Sequence, residues 1–487
     1  MRQDRKSRLA AVRGLAWMFA GAAADAVVMA ASFAASFALR FEFAEPVWGW
    51  RGAWLSFFTV WSVQTAMLLF FDCARRWRLH ARDLPRFAGA FAASVAALTL
   101  MRVFLPQIEH LYIRPPYSIT LINGVLSAVG LLVVRWLWTL YVNARKREAR
   151  LLKRREAPPV DDATRAYYRG KCVLVTGAGG TIGSELVRQV VALGASRVVM
   201  VERGENALYE IARRVAESVC VREMADAGDI GRMRGVFAKY RPEVVLHAAA
   251  YKHVPMVEAN PLEGLRNNTL VTRRLGETAR EYGVAKFVMI STDKAVNPVS
   301  VMGISKRLAE ILLLGLNGGG TVFSAVRFGN VLGSSGSVVP LWEEQIANGG
   351  PVTVTDRRMK RYFMTVSEAV GLVLSTAVLP DGGGCVYTLD MGRPVLMLDL
   401  AEEMIRQAGY APGRDIRIEF TGIRPGEKLV EELDVTDKAY RRTGHAKIYV
   451  AACGDAQADA VAAEVARVVA GGAPDVLAAA KSLARWC

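Results

Sequence analysis

Cysteine and histidine are scarce, with six and five in 487 residues. Cys73, Cys172, Cys220, Cys385, Cys453 and Cys487 contain no Cys-x-x-Cys pair, and no cysteine–histidine cluster has metal-ligand spacing. Neither a metal site nor a disulfide framework is expected from them; they read as reduced, mostly buried thiols. No cleavable leader is expected either, because the first apolar segment is too long and no small-residue cleavage pattern precedes a soluble domain. Acidic residues are the third shortage: 46 Asp and Glu face 62 Lys and Arg, a formal charge of +16. An excess of that sign can mark a nucleic-acid binder. Here the basic residues gather beside apolar segments, which is the pattern of membrane topology, so no nucleic-acid partner is assigned.

Apolar residues make up 52% of the chain and crowd before residue 145. Four stretches, about 14–39, 53–71, 86–105 and 117–142, each approach the ~20 residues that cross a bilayer. Arg86 and Arg102 bracket the third. Arg2, Arg5, Lys6, Arg8 and Arg13 precede the first; Arg75, Arg76, Arg78, Arg82 and Arg86 fill the second loop. Arg145, Lys146, Arg147, Arg150, Lys153, Arg154 and Arg155 follow the fourth, whereas the other loops hold only Arg40 and Arg51, and Arg114. The alternation predicts four spans with both ends in the cytoplasm. Trp17, Trp48, Trp50 and Trp54 fall near the expected interfaces, where amphipathic rings are favoured. Asp25 and Arg135 lie inside the first and fourth spans; they read as a structural pair, or as an Arg135 that snorkels to the surface. The expected organisation is a lipid-embedded anchor over 1–142, a basic linker over 143–170 carrying Ala157-Pro158-Pro159, and a catalytic domain over 171–487.

From residue 171 strands and helices alternate. Lys171–Val175 reads as a strand, and Gly177, Gly180 and Gly183 form a Gly-x-x-Gly-x-x-Gly turn before a helix expected from Ser184 to about Leu193. In that context the glycines let backbone N–H groups, those of Thr181 and Ile182 included, face a pyrophosphate at a helix N-terminus. A second strand ends at Glu202, an acid placed to bind ribose hydroxyls and favour NAD; Arg203 beside it suits a 2′-phosphate, so NADP is the lesser alternative. Asp229-Ile230 is expected at a third strand end, where the Asp either meets the adenine edge or only closes a strand-end turn. Val244–Ala250 is expected as a fourth strand, with Ala248 and Ala249 small enough for a cofactor to lie close and Tyr251 just beyond. Lys286–Ile290 delivers Ser291-Thr292-Asp293-Lys294 to the carboxyl end of a fifth strand, where open α/β sheets bind ligands. Ala458–Trp486 reads as helices closing a small C-terminal lobe.

Seven stretches carry a resemblance: Thr176–Leu186 (TGAGGTIGSEL), His247–Val257 (HAAAYKHVPMV), Ser291–Pro298 (STDKAVNP), Val301–Lys306 (VMGISK), Arg327–Pro340 (RFGNVLGSSGSVVP), Arg361–Thr365 (RYFMT) and Arg424–Leu429 (RPGEKL). Together they resemble the CapD/WbpM/PglF-like family of membrane-bound UDP-sugar 4,6-dehydratases. The resemblance implies a four-span α-helical bundle followed by an α/β Rossmann domain of the extended short-chain dehydrogenase type, with a small C-terminal substrate lobe. It also implies bound NAD, a UDP-sugar substrate (UDP-N-acetylglucosamine in most members), a homodimer or higher homo-oligomer, and the bacterial inner membrane. Two departures stand out. The linker leaves no room for the extra Rossmann-like domain of larger members, and Met302 replaces the tyrosine of the usual Tyr-x-x-x-Lys pattern ending at Lys306.

By that resemblance Thr292 hydrogen-bonds the C4 oxygen, Asp293 is the acid at C6, Lys294 is the base at C5 and Lys306 orients the nicotinamide ribose. A basic Lys294 must be neutral, so burial or a neighbouring cation is expected to lower its pKa. Lys252, His253, Arg327, Arg361 and Arg424 are the expected diphosphate partners, with helix capping and packing the alternative for Lys252 and His253; Asn268 and Asn330 are expected on sugar or phosphate oxygens and Glu427 on a ribose or an arginine. The competing readings are a UDP-sugar 4-epimerase, which needs no C6 acid, and a non-catalytic NAD-binding membrane scaffold.

Overall fold

The structure is a computed structural model that describes residues 23–41, 49–71, 73, 83–104, 116–146, 160–334, 336–379, 384–433, 440–451, 458–471 and 475–483. The basic clusters within 2–13, 74–82 and 147–155, together with Arg114, Trp17, Trp48, Cys453, Cys487 and residues 147–159 of the expected linker, lie outside the described residues. The chain divides into two compact units, one of residues 1–154 and 347–349, the other of 155–346 and 350–487.

In the first unit, α1 (Ala23–Phe41), α2 (Gly49–Phe70), α3 (Leu84–Phe104) and α4 (Tyr117–Lys146) are each long and apolar enough to cross a membrane. Their polarity is reversed relative to a water-soluble bundle. Trp54, Phe58, Phe104, Leu121 and Val125 face outward, whereas Ser36, Gln64, Ser94, Asn123, Ser127 and Arg135 are buried. The Arg135 guanidinium donates to Asp25 Oδ2 at 2.7 Å and sits 5.0 Å from the centre of the Phe87 ring. The pair reading therefore holds over the snorkelling one: α4 turns its charge inward to α1, where a buried charge finds a partner.

The second unit runs α5 (Asp162–Tyr168), β1 (Cys172–Thr176), α6 (Thr181–Ala192), β2 (Arg197–Glu202), α7 (Glu205–Ala212), β3 (Cys220–Met224), α8 (Ile230–Tyr240) and β4 (Val244–His247). Then come α9 (Val254–Ala259), α10 (Pro261–Leu265), α11 (Val271–Glu281), β5 (Lys286–Ile290), α12 (Val301–Leu314), β6 (Val322–Arg327), β7 (Asn330–Val331), α13 (Val338–Ala347), β8 (Val352–Val354), β9 (Lys360–Arg361) and β10 (Phe363–Met364). It continues through α14 (Val366–Ser375), β11 (Val386–Leu389), β12 (Val395–Leu396), α15 (Met397–Gln407), β13 (Ile418–Phe420), β14 (Tyr440–Arg442), β15 (Ile448–Ala451), α16 (Ala458–Val469) and α17 (Val476–Ser482).

Nine strands form one sheet in the order β14-β15-β11-β6-β5-β4-β1-β2-β3, parallel from β3 to β11 and antiparallel beyond it. The inner strands are continuous β-branched and apolar runs because both faces are covered. Val173, Val175, Val198 and Met200 pack beneath α6 and α14, and the alternate residues Leu174, Val199, Val201 and Phe287 beneath α8 and α11. Strand order reverses at β1, between β2 and β4, so a crevice opens at the carboxyl ends of these strands. Three two-stranded pairs, β7 with β10, β9 with β12 and β8 with β13, build the smaller lobe.

Three expectations shift. The first helix begins at Thr181, one turn before Ser184, so Thr181 and Ile182 are helical. The third strand ends at Met224 and the fourth at His247, leaving Asp229 and Ala248–Ala250 in loops. The C-terminal helices do not close the smaller lobe; Val461, Val465, Val468 and Leu483 pack with Leu265, Met302, Leu308 and Leu312 beside α10 and α12.

Candidate active site

The crevice begins at the glycine-rich turn. Gly183, in the first turn of α6, packs hard against it, where a Cβ would lie 1.9 Å from the Gly177 carbonyl oxygen, so the helix can start this close to the turn after β1 only because no side chain intervenes. Glu202 braces the turn: its carboxylate accepts from Gly179 N at 3.1 Å and Gly204 N at 2.9 Å. A cavity of about 190 Å³ lies here, walled by Gly177, Gly180, Glu202, Arg203, Asp226 and Ala248 among others. Arg203 is tethered, donating to Tyr251 Oη at 2.8 Å and stacking 4.8 Å from that ring's centre. Asp229, expected at the adenine, instead caps α8 by accepting from Arg232 N at 2.9 Å, with Ile230 in the helix behind it. The carboxylates in the wall are those of Glu202 and Asp226.

A larger cavity of about 670 Å³ shares Gly177, Gly180, Ala248 and Tyr251 with the first and runs on to Thr292, Lys294, Met302, Lys306, Asn330, Arg361, Arg424, Glu427 and Glu431. β5 feeds a single 3₁₀ turn, Asp293–Ala295, at its wall. Asp293 is fully buried, and its Oδ1 accepts from Thr292 Oγ1 and from Lys294 Nζ, both at 2.9 Å. Asp293 Oδ2 has no hydrogen-bond partner among the described residues. Lys294 Nζ also lies 3.8 Å from Glu431 Oε1. Burial alone would favour a neutral Lys294 amine, but Asp293 and Glu431 outweigh it and hold the group above the usual lysine range. That reverses the expectation of a lowered pKa. The Thr292 hydroxyl proton is likewise committed to Asp293 in this state.

Burial does lower Lys306, pushed down to about 8 against the opposing pull of Glu310. Glu310 belongs to a buried network behind the wall. It accepts from Arg327 Nε at 2.8 Å and Nη2 at 2.5 Å, from Ser291 Oγ at 2.5 Å and from Arg307 Nη1 at 3.2 Å. Burial by itself would raise Glu310; the Arg327 and Arg307 guanidiniums keep it below the usual range. Arg327, expected on the diphosphate, is thus turned inward. Asn268 is also a fold residue: its amide holds Tyr251 N and O at 2.8 and 2.9 Å and donates to Ser305 Oγ at 3.0 Å.

Lys252, His253, Asn330, Arg361, Arg424 and Glu427 do face the larger cavity. Burial lowers the pKa of Lys252; for His253 burial and then Lys252 act in the same direction. Arg361 is anchored by donating to the carbonyls of Lys360 (2.8 Å), Lys428 (2.9 Å) and Leu429 (3.2 Å). Glu427 Oε2 accepts from Arg424 N at 3.4 Å, closing the turn that presents both.

Glu431 was not legible in the sequence. It follows the Arg424–Leu429 motif and looks no different from Glu432. Only the pairing of Lys360 N with Leu429 O at 2.9 Å, which lays this segment along β9, turns Glu431 inward and leaves Glu432 on Asn297 and Lys428. Asp226 and Glu310 escaped for the same reason, since each acquires its role from a distant partner.

An open parallel sheet with a glycine-turn crevice and a lysine-bearing helix beside it defines an extended short-chain dehydrogenase. Residues 173–453 match the family described as "Polysaccharide biosynthesis protein", and the chain belongs to that family. It is 50% identical over 286 residues to capsular polysaccharide biosynthesis protein CapD of Staphylococcus aureus, covering 57% of this chain and 47% of that one. It thus spans about half the length of that relative. It is 30% identical over 280 residues to the UDP-N-acetylglucosamine 4,6-dehydratase (inverting) of Campylobacter jejuni, covering 56% and 80% of the two chains. Among solved structures, Pen from Bacillus thuringiensis superposes with a TM-score of 0.54 at 30% identity, over 58% of this chain and 90% of that one.

Proposed function

We propose that the chain is a membrane-anchored, NAD-dependent dehydratase that converts UDP-N-acetylglucosamine to a UDP-4-keto-6-deoxy sugar for polysaccharide synthesis. On this reading, residues 1–142 anchor it in the bacterial inner membrane, a basic cytoplasmic linker follows over 143–170, and residues 171–487 work in the cytoplasm as a homo-oligomer. The observation that carries the reading is the Asp293–Lys294 ion pair at the carboxyl end of β5: Lys294 lines a cavity large enough for a nucleotide sugar, and the buried Asp293 carboxylate holds it from just behind that wall. An acid and a base on adjacent residues suit loss of water across C5–C6; an epimerase has no use for the acid. The similarity to a relative that bears the dehydratase name supports the same choice.

The dinucleotide would lie along the glycine turn, where Gly183 lets α6 pack close enough to offer its N-terminus to the pyrophosphate, with Glu202 toward the ribose hydroxyls and Arg203 tied back on Tyr251. Bound there, NAD supplies reversible hydride chemistry, accepting from C4 and returning to C6. The chain does the rest. Lys306 and Tyr251 orient the cofactor end of the crevice. Arg361, Arg424 and Lys252 offer cations to the diphosphate. Asp293 protonates the departing C6 hydroxyl, and Lys294 removes the C5 proton once it has lost its own.

The test is incubation of the purified full-length protein with UDP-N-acetylglucosamine, with product identified by mass and NMR. A UDP-4-keto-6-deoxy hexosamine is expected. Lys294→Ala should abolish C5 deuterium exchange while the dinucleotide stays bound; a purely C4-epimerised product would refute the assignment.

A further inference from the structure

The site has three ionisable groups where the proposed chemistry names two. Glu431 is buried, with Oε1 3.8 Å from Lys294 Nζ and 3.8 Å from Arg361 Nε. Its Oε2 has no hydrogen-bond partner among the described residues, so it has an open position for a proton. Lys294 Nζ therefore stands between two carboxylates, in contact with Asp293 at 2.9 Å and one small side-chain shift from Glu431. The charged groups facing Glu431 are Lys294 and Asp293 from the turn after β5, Arg361 from β9 and Lys428 from its own segment.

We propose that Glu431 is the positioning residue that takes the surplus proton from Lys294 and returns it, so that Lys294 works as a neutral base in a site that otherwise holds it charged. This rests on the dehydratase reading. As C4 is oxidised, its hydroxyl proton passes to the Asp293 carboxylate. Neutral Asp293 no longer retains the Lys294 ammonium, which swings to Glu431 and gives up one proton there, leaving an amine and a neutral carboxyl. The amine takes the C5 proton; the C5–H electron pair becomes the C5–C6 double bond as the C6–O bond breaks, and Asp293 gives its proton to the departing hydroxyl, which leaves as water. When C6 has been reduced, the Lys294 ammonium protonates C5, and Glu431 hands its proton back to Lys294. Two protons leave the sugar and two return, and all three side chains end in their starting states.

The environment supports this role. Burial pushes the Glu431 carboxyl up, with Lys294 opposing and Asp293 reinforcing the shift, so a proton on Glu431 becomes more favourable as Lys294 loses its charge. The same device accounts for the missing tyrosine at Met302, because the C4 proton is carried by the acid that later needs it.

Glu431→Gln keeps the shape and removes the proton-accepting oxygen. In the full-length protein in detergent, with UDP-N-acetylglucosamine, kcat should fall about 100-fold or more, as for loss of a proton-transfer group, with KM and bound dinucleotide unchanged. Its rate should then climb with pH through the alkaline range, as solvent hydroxide takes over the deprotonation of Lys294, while the wild-type profile stays flat there. Glu431→Asp, with a shorter reach, should give an intermediate rate and the wild-type profile; it decides the matter if the glutamine variant loses its dinucleotide. A glutamine variant near wild-type turnover, or one that is slow at every pH alike, overturns the role of Glu431 while leaving the dehydratase reading intact. Absence of the keto product from the wild-type enzyme overturns both.

Discussion

Gly303 sits in the first turn of α12, where a Cβ would lie 2.3 Å from the Lys294 carbonyl oxygen, 3.2 Å from its carbon and 3.1 Å from Pro298 Cβ. A carbon–oxygen contact closes at ~3.3 Å, so Gly303→Ala forces a displacement of about 1 Å. α12 cannot supply it, because Val301, Met302, Ile304 and Leu308 are all buried against neighbouring helices. The 3₁₀ turn must move instead, carrying Asp293 and Lys294 with it. Overpacking of this kind costs about 1–3 kcal/mol, and a misplacement of about 1 Å at reacting groups costs on the order of 100-fold in rate. The expected outcome is a clear fall in Tm and a fall of about 100-fold in kcat, with dinucleotide still bound because the Gly177–Gly183 turn is untouched. Gly235→Ala is the control: on the exposed face of α8 its Cβ meets nothing within 4 Å, so it should leave turnover alone and stabilise by about 0.5–1 kcal/mol. Wild-type turnover and Tm in Gly303→Ala would refute the claim that α12 fixes the acid–base pair.

Arg327→Ala should act on stability rather than on substrate affinity, since it leaves the buried Glu310 carboxylate without its main partner; chemical denaturation is expected to show a loss of about 3–5 kcal/mol, whereas a rise in KM at unchanged stability would restore Arg327 to the diphosphate. Lys306→Met gives a pH signature. With the folded pKa at about 8 and the ordinary value at 10.5, the unfolded chain binds the extra proton between those values, so wild-type stability gains as pH rises through that window. The variant, freed of the buried charge, should be the more stable below pH 8 by up to about 3 kcal/mol, with the gap narrowing towards pH 10.5; a pH-independent difference in denaturation midpoint would contradict it.

The spans, the glycine turn and Thr292-Asp293-Lys294 were legible because each is a local pattern: a run of apolar length, a spacing of glycines, a polar tetrad after a strand. What stayed hidden depends on partners far along the chain. Arg327 and Arg361 look alike as motif arginines, yet one turns to Glu310 in α12 and the other into the cavity. The charge state of Lys294 was misjudged because burial was visible in outline, whereas Glu431, more than a hundred residues later, was not. Asp229 was mistaken for a strand-end acid since a helix cap and a ligand contact use the same residue type at the same kind of junction.

The Asp25–Arg135 pair also bears on how the anchor comes into being. The two residues lie 110 positions apart, on the first and last spans, so α1 emerges from the ribosome long before its partner. Breaking a buried ion pair by removing one partner costs about 3–5 kcal/mol, and α4 avoids leaving Arg135 uncompensated only if α1 is still at hand. The pair thus acts as a latch that only the completed set of four helices can close, and a chain that mislays its first helix announces the fault at its fourth.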